Sequence, residues 1–367
     1  MAIKILNVVG ARPNFMKVAP LMREYARFPD RIEAALLHTG QHYDEAMSSV
    51  FFAQLGLREP DFYLGVGSGS HAQQTGRIMI AFEEAVLKHR PDLIVVVGDV
   101  NSTMACALVG AKLQIPVAHV EAGLRSNDRS MPEEINRLVT DSIADFLFTT
   151  SEDAIGNLLR EGISESKIFF VGNTMIDTLL ALRDQLREAD MRRELDIGSG
   201  AFGFVTLHRP SNVDDVSVLR GICQAFATIQ ERLMLVWPLH PRTKKMLEST
   251  HLIQYLSTFR NIRITEPMSY LDSMSLMSSA RLVLTDSGGV QEETTALGIP
   301  CLTLRMNTER PVTVTEGTNE LIGNDPQVIT EKTLSLLNGK VAPRRSPKLW
   351  DGKASHRIVE ILLGKLA

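Results

Sequence analysis

Three acidic positions in the first half of the chain lie where an α/β sheet would expose its strand ends. Asp99 follows the apolar run 93–97. Glu121 closes the run Val117-Ala118-His119-Val120, and Glu133 with Glu134 opens a helical stretch after a short polar loop. Open parallel sheets bind ligands in the crevice beyond the carboxyl ends of their strands. Carboxyl groups placed there can be held in different environments, so that their proton affinities diverge. The pattern reads as an active site.

A second signal is the segment Leu284-Thr285-Asp286-Ser287-Gly288-Gly289, followed by a helical pattern that carries Glu292 and Glu293. Free backbone N–H groups and the helix dipole at such a start form an anion site, which small residues let a phosphate approach. Glu293, about one and a half turns further on, is placed to grip ribose hydroxyls. An ordinary Ser-Gly helix start with a solvated acidic turn would look the same. In the first loop, Gly10-Ala11-Arg12-Pro13-Asn14, Arg12 and the nearby Lys17 are suited to neutralise a diphosphate leaving group. His208 closes a later apolar strand and suits proton transfer or phosphate binding, with His240 in a similar setting. The stretch from Arg305 to Arg310 could present polar groups to a sugar. His38, His42 and His71 lack metal-ligand spacing, and no metal site is expected. The glycines 65, 67 and 69 follow no long strand and read as a loop.

These residues need elements to position them. Strands are expected over 3–9, 34–38, 93–97, 117–120, 146–149 and 168–171, with helices over 16–28, 72–88, 103–113 and 133–144 between them. A second series is expected at 204–207, 233–237, 262–264, 282–284 and 301–304. Strand–helix alternation implies parallel sheets of βαβ units. The fold class is therefore α/β, with two doubly wound Rossmann-like domains facing a cleft. Their expected limits are 1–185 and 200–350, joined through a glycine-rich linker, and a last helix within 351–367 packs back on the first domain.

At 367 residues, 44% hydrophobic and 22% charged, the chain has the composition of a soluble two-domain protein. A net charge of −4 argues against nucleic acid or anionic membranes as main partners. The three scattered cysteines fit a reducing cytoplasm and read as core residues. No run is apolar enough to span a membrane, and the N-terminus does not read as a signal sequence. P-loop, G-x-S-x-G and HExxH motifs are absent.

In these pieces the chain resembles the non-hydrolysing UDP-N-acetylglucosamine 2-epimerases, which use a glycosyltransferase-B-like architecture. The resemblance rests on nine ordered motifs: Gly10-Ala-Arg-Pro13, Thr39-Gly-Gln-His42, Gly98-Asp99, His119-Val-Glu-Ala-Gly-Leu-Arg125, Met131-Pro-Glu-Glu-Ile-Asn-Arg137, Val171-Gly-Asn-Thr-Met-Ile-Asp177, Leu207-His-Arg209, Asp286-Ser-Gly-Gly-Val-Gln-Glu-Glu293 and Thr308-Glu-Arg-Pro311. It implies inversion at carbon 2 of a UDP-linked N-acetyl sugar by elimination and re-addition of UDP, in a homodimer that needs no cofactor and supplies surface polysaccharide synthesis. Asp99, Glu121, Glu133 and His208 then match the catalytic groups. Arg12, Lys17, Gln41, His42, Arg137, His240, Ser287, Gly288, Gly289, Glu293 and Arg310 match the substrate-binding set, and Arg137 is placed to orient Glu133. Departures are Val97 and Val100 around Gly98-Asp99, Pro210-Ser211 after His208-Arg209, and a missing phenylalanine after Tyr270-Leu271. Gln73 replaces an arginine in the motif that binds an activating second UDP-sugar, which implies weak or lost activation. A hydrolysing epimerase, an epimerase of a modified UDP-sugar, a glycosyltransferase and a non-catalytic sensor remain the alternatives.

Overall fold

The computed structural model describes residues 2–41, 52, 54–186, 191–339 and 346–366, and not the side chain of Arg12. His42 lies outside the described residues. The chain divides into two compact units, Met1–Ala181 with Lys348–Ala367, and Leu182–Pro347.

Among the described residues, the first unit is built on seven parallel strands: β1 Ile3–Val9, β2 Ile32–His38, β3 Phe62–Tyr63, β4 Leu93–Val97, β5 Val117–Ala122, β6 Phe146–Thr149 and β7 Ile168–Phe170, in the order β3-β2-β1-β4-β5-β6-β7. The second has six: β8 Phe202–Thr206, β9 Met234–Pro238, β10 Ile262–Thr265, β11 Leu282–Thr285, β12 Cys301–Thr303 and β13 Asn319–Leu321, in the order β10-β9-β8-β11-β12-β13. Continuous apolar runs such as Leu93-Ile-Val-Val-Val97 are buried along their whole length, as expected of strands covered on both faces. Both sheets are doubly wound, so each reverses its strand order once, at β1/β4 and at β8/β11. Ligands bind doubly wound sheets at these switch points.

Cys106, Cys223 and Cys301 are all buried, and burial raises each thiol pKa. They are core residues. Trp237 anchors the second core edge-on to Phe226, with ring centroids 5.2 Å apart.

The short strands β3 and β13 were not foreseen. The segment expected to be a linker belongs to the second unit. There Arg192 lies over the Phe202 ring at 5.1 Å and donates to the carbonyls of Gly198 and Gly200, while Ser275 donates to the Leu186 carbonyl at 2.5 Å.

The chain returns to the first unit through Trp350, whose Nε1 donates to the Thr150 carbonyl at 3.0 Å. The final helix, Ala354–Leu366, is capped from a distance by Asp177, which accepts from the backbone N–H of Ala354 (3.1 Å) and of Ser355 (2.7 Å) and from the Ser355 hydroxyl (2.7 Å). Gly172 makes the close approach possible: with φ +89, a Cβ there would meet the Leu349 carbonyl oxygen at 2.1 Å. Replacing Asp177 by Ala strands three donors and should cost about 2 kcal/mol of stability. Urea denaturation checks this, and an unchanged midpoint would show that the helix does not depend on its cap.

Candidate active site

In the first unit the switch-point loops are stapled by one side chain. Asn14 Oδ1 accepts from the backbone N–H groups of Gly10 (3.0 Å) and Ala11 (3.1 Å), and its Nδ2 donates to the Val97 carbonyl at 3.1 Å. Arg12 is the first residue of the helix Arg12–Tyr25, and Lys17 lies one turn further. Lys17 is buried, and its Nζ sits 2.5 Å from Glu121 Oε2. Gly98, at φ +66, turns the chain out of β4; a Cβ there would lie 2.8 Å from that ammonium.

Glu121 does not end its strand. The strand runs on to Ala122 through a register shift, and Glu121 itself has φ +78. A bulge of this kind re-aims a side chain, and a non-glycine residue held in the left-handed region stores strain typical of functional positions. Gly123 follows at φ +81, where a Cβ would meet the Ala154 carbonyl oxygen at 2.5 Å.

One helix, Pro132–Ile143, supplies most of the partners of these acids. Arg137 Nη1 lies 2.5 Å from Asp99 Oδ2, and Asn136 Nδ2 donates to the Asp99 carbonyl at 2.8 Å. Arg137 Nη2 also pairs with Glu134 at 2.5 Å. Glu134 accepts in turn from the backbone N–H groups of Ser126 and Asn127, both at 2.9 Å, and so pins the loop after β5. Burial pushes the Glu134 carboxyl pKa up, but these donors and Arg137 hold it below its ordinary value. Glu133 is partly exposed and makes no side-chain hydrogen bond or ion pair among the described residues. Sequence reading picked out Glu133 and Arg137, but Arg137 pairs with Asp99 and Glu134 and not with Glu133 as expected, and the anchoring roles of Glu134, Asn136, His119 and Asp141 were missed. The one local signal was His119, a polar residue inside an apolar strand.

Gln41 is buried, and its Oε1 accepts from the Ser102 backbone N–H (3.0 Å) and hydroxyl (2.7 Å). Gln74 Nε2 donates to the carbonyls of Gln41 (3.3 Å) and Gly67 (3.1 Å), while Gln73 starts its helix with its N–H on Ser70.

In the second unit His208 follows β8, and its Nδ1 lies 3.0 Å from Asp286 Oδ1. Asp286, fully buried after β11, also accepts from the backbone N–H groups of His208 (3.0 Å) and Arg209 (2.9 Å) and from Asn212 Nδ2 (3.2 Å). Burial pushes its carboxyl pKa up, and His208 with the backbone donors brings it below the ordinary value. The His240 ring lies 5.4 Å from the His208 ring at a tilt of 41°, and His240 caps the helix Pro241–Ser249.

Ser287 caps the helix Gly288–Leu297 without a side-chain bond, so its first N–H groups have no intrahelical acceptor. Gly288 is needed for close approach: a Cβ would lie 2.5 Å from Arg310 Nη1 and 2.8 Å from Glu309 Oε1. Arg310 pairs with Glu309 (2.7 Å) and Glu292 (3.0 Å), and Arg305 with Glu309 (2.9 Å). Burial pushes the Glu309 carboxyl pKa up, yet the two guanidinium groups leave it well below the usual range. Glu293 is the exception. Burial pushes its carboxyl pKa up to about 8, against a hydrogen bond from Tyr270 and with a further push from Glu292. At neutral pH it is mostly protonated, so it adds little negative charge beside the helix start. The unbonded N–H groups of that helix start are where an anion would bind.

Comparison with known proteins decides the family. The model of the family described as UDP-N-acetylglucosamine 2-epimerase matches residues 26–363. The chain belongs to the UDP-N-acetylglucosamine 2-epimerase family. The UDP-N-acetylglucosamine 2-epimerase of Methanocaldococcus jannaschii is 44% identical over 98% of this chain and 98% of its own. A crystal structure of that species' UDP-GlcNAc 2-epimerase, in complex with UDP-GlcNAc and UDP, superposes with a TM-score of 0.90 at 43% identity, covering 98% of this chain and 99% of that one. The UDP-2,3-diacetamido-2,3-dideoxy-D-glucuronate 2-epimerase of Pseudomonas aeruginosa is 40% identical over 98% of this chain and 99% of its own. The two Rossmann-like units are the fold of this epimerase family.

The raised Glu293 carboxyl has a consequence for stability. Its pKa lies near 4.5 in the unfolded chain and at about 8 in the folded one. The folded protein therefore holds the proton more tightly, and the stability this gives is present below about 4.5 and is lost as pH rises to about 8. Glu293→Gln should flatten the fall of the thermal midpoint across that window. An unchanged slope in a pH series of melting curves would contradict the assignment.

Proposed function

We propose that the protein interconverts UDP-N-acetylglucosamine and UDP-N-acetylmannosamine without hydrolysis. The hydrogen on carbon 2 is not next to a carbonyl and is barely acidic in the ground state. As the anomeric C–O bond stretches, positive charge on the ring makes that proton removable by a carboxylate. The C–H electrons become the carbon 1–carbon 2 double bond, and UDP leaves with the C–O pair. Return of a proton to the other face of carbon 2, with re-addition of UDP to carbon 1, completes the inversion.

Asp99, Glu121 and Glu133 supply the acids and bases in this reading, with Arg137 holding Asp99 and Lys17 partnering Glu121. Ser287, Gly288, Gly289 and Arg310 take the diphosphate. His208 and His240 flank it, and Glu293 takes the ribose. The observation that carries the proposal is Asp99 and Glu121, each held by a buried cation beside the first sheet's switch point, with Glu133 on the helix that supplies Arg137. That is more acid–base apparatus than glycosyl transfer needs, and a sensor has no use for it. No described helix is long and apolar enough to cross a membrane. This is compatible with a cytoplasmic enzyme that, in this reading, is a homodimer supplying surface polysaccharide synthesis.

A second reading has its own support. The Pseudomonas relative's name specifies a 2,3-diacetamido uronate, so the ring substituents of the true substrate can differ at carbons 3 and 6. Comparing kcat/KM for the two UDP-sugars separates the readings, the higher value naming the substrate class.

With the preferred sugar, the product should be UDP-linked. Chromatographic detection of free N-acetylmannosamine with stoichiometric UDP would instead place the protein among hydrolysing epimerases. Glu121→Gln should lower kcat about 10²- to 10⁴-fold, the span of acid–base catalysis. Near-normal turnover in that variant would remove Glu121 from the chemistry.

A further inference from the structure

We infer that His119 and Asp141 form a positioning pair that fixes the turn carrying Asp99 and the bulge carrying Glu121 at the same time. The inference rests on the epimerase reading above and assigns the pair no contact with substrate. Both side chains are completely buried. His119 Nδ1 lies 2.6 Å from Asp141 Oδ1, and its Nε2 lies 2.8 Å from the Gly98 carbonyl oxygen. A carbonyl can only accept, so Nε2 carries a hydrogen and donates it. The Gly98 peptide is the one that leads into Asp99. The other Asp141 oxygen accepts from the Gly123 backbone N–H at 3.0 Å and pairs with Arg125 at 2.8 Å. Burial pushes the Asp141 carboxyl pKa up, but His119 and Arg125 outweigh it and hold it low, so Asp141 is an ionised acceptor for all of these donors.

What the pair fixes is backbone that would not hold its own shape. Gly98, Glu121 and Gly123 are all left-handed, at φ +66, +78 and +81. Such conformations persist only where the surroundings over-determine them. One buried carboxylate, bonded through His119 to the first turn and directly to the second, meets that requirement. A histidine kept only for packing would not place one ring nitrogen on the Gly98 carbonyl and the other on the carboxylate that holds Gly123. Asp141 also lies one turn beyond Arg137, on the helix that grips the Asp99 side chain. The side chain and the backbone of Asp99 are thus fixed from one element.

Two conservative variants divide the roles of the two nitrogens. His119→Gln reaches to the Nε2 position and can still donate to Gly98. His119→Asn reaches only to the Nδ1 position, meets Asp141 and leaves the Gly98 carbonyl unpartnered. Turnover is followed on the wild-type protein's preferred UDP-sugar. His119→Asn should lower kcat about 100-fold, the scale of a misplacement of about 1 Å, and His119→Gln less than about 10-fold. KM and the dissociation constant for UDP should move less than about threefold in both, because the groups assigned to UDP in the second unit are untouched. A packing role predicts equal kcat losses that follow the melting temperature, and that result would overturn the inference. As a check independent of the variants, wild-type protein with ¹⁵N-labelled histidine should show a His119 Nε2 proton that exchanges slowly with solvent. Rapid exchange of that proton would also overturn it. A wild-type protein that turns over neither UDP-sugar would sink the epimerase reading itself, and this inference with it.

Discussion

Arg137 lies between Asp99 and Glu134 at 2.5 Å from each, and most of the first unit's site depends on the helix that carries it. A buried carboxylate without a partner costs several kcal/mol, and breaking a buried pair leaves that cost uncompensated. The protein meets the constraint with one element. The helix Pro132–Ile143 presents Glu133, pins the loop after β5 through Glu134, and holds Asp99 through Asn136 and Arg137. Through Asp141 it holds the strand ends beside Asp99 and Glu121. A shift of this helix would disturb all three acids together.

The second unit solves a different electrostatic problem. Its glycine-rich helix start packs against Arg310, which is paired with Glu309 and Glu292, while burial keeps Glu293 mostly protonated at neutral pH. Glycine at 288 is the steric condition for this, since any side chain would collide with the guanidinium.

The strand–helix alternation was legible because fully covered parallel strands read as uninterrupted apolar runs, and β1, β4 and β11 fell where such runs stand. The three-residue β13, Asn319-Glu-Leu, was invisible because an edge strand this short and polar has no period to read. The glycine-rich stretch 197–203 read as a linker, since nothing local announces the bonds that Arg192 makes to the Gly198 and Gly200 carbonyls or its place over the Phe202 ring. Asp99 and Glu133 could be read from their places after a strand and at a helix start, and Glu121 from its place close to the end of a strand. The left-handed turn at Glu121 could not, because no local signal marks a non-glycine residue for φ +78. Asp141 and Asp286 were missed for a related reason. Their partners lie 22 and 78 residues away in sequence, and only the closed sheets bring them together.

The central claim is that carboxylates of the first unit remove and return the proton on carbon 2. Proton NMR of UDP-N-acetylglucosamine incubated with the protein in deuterated water tests it most directly, or of the diacetamido uronate if that is the preferred sugar. The account predicts deuterium at carbon 2 of a UDP-linked manno product. A manno product that keeps its original hydrogen at carbon 2 would contradict it, because inversion would then proceed without the proton transfer these acids are placed to perform.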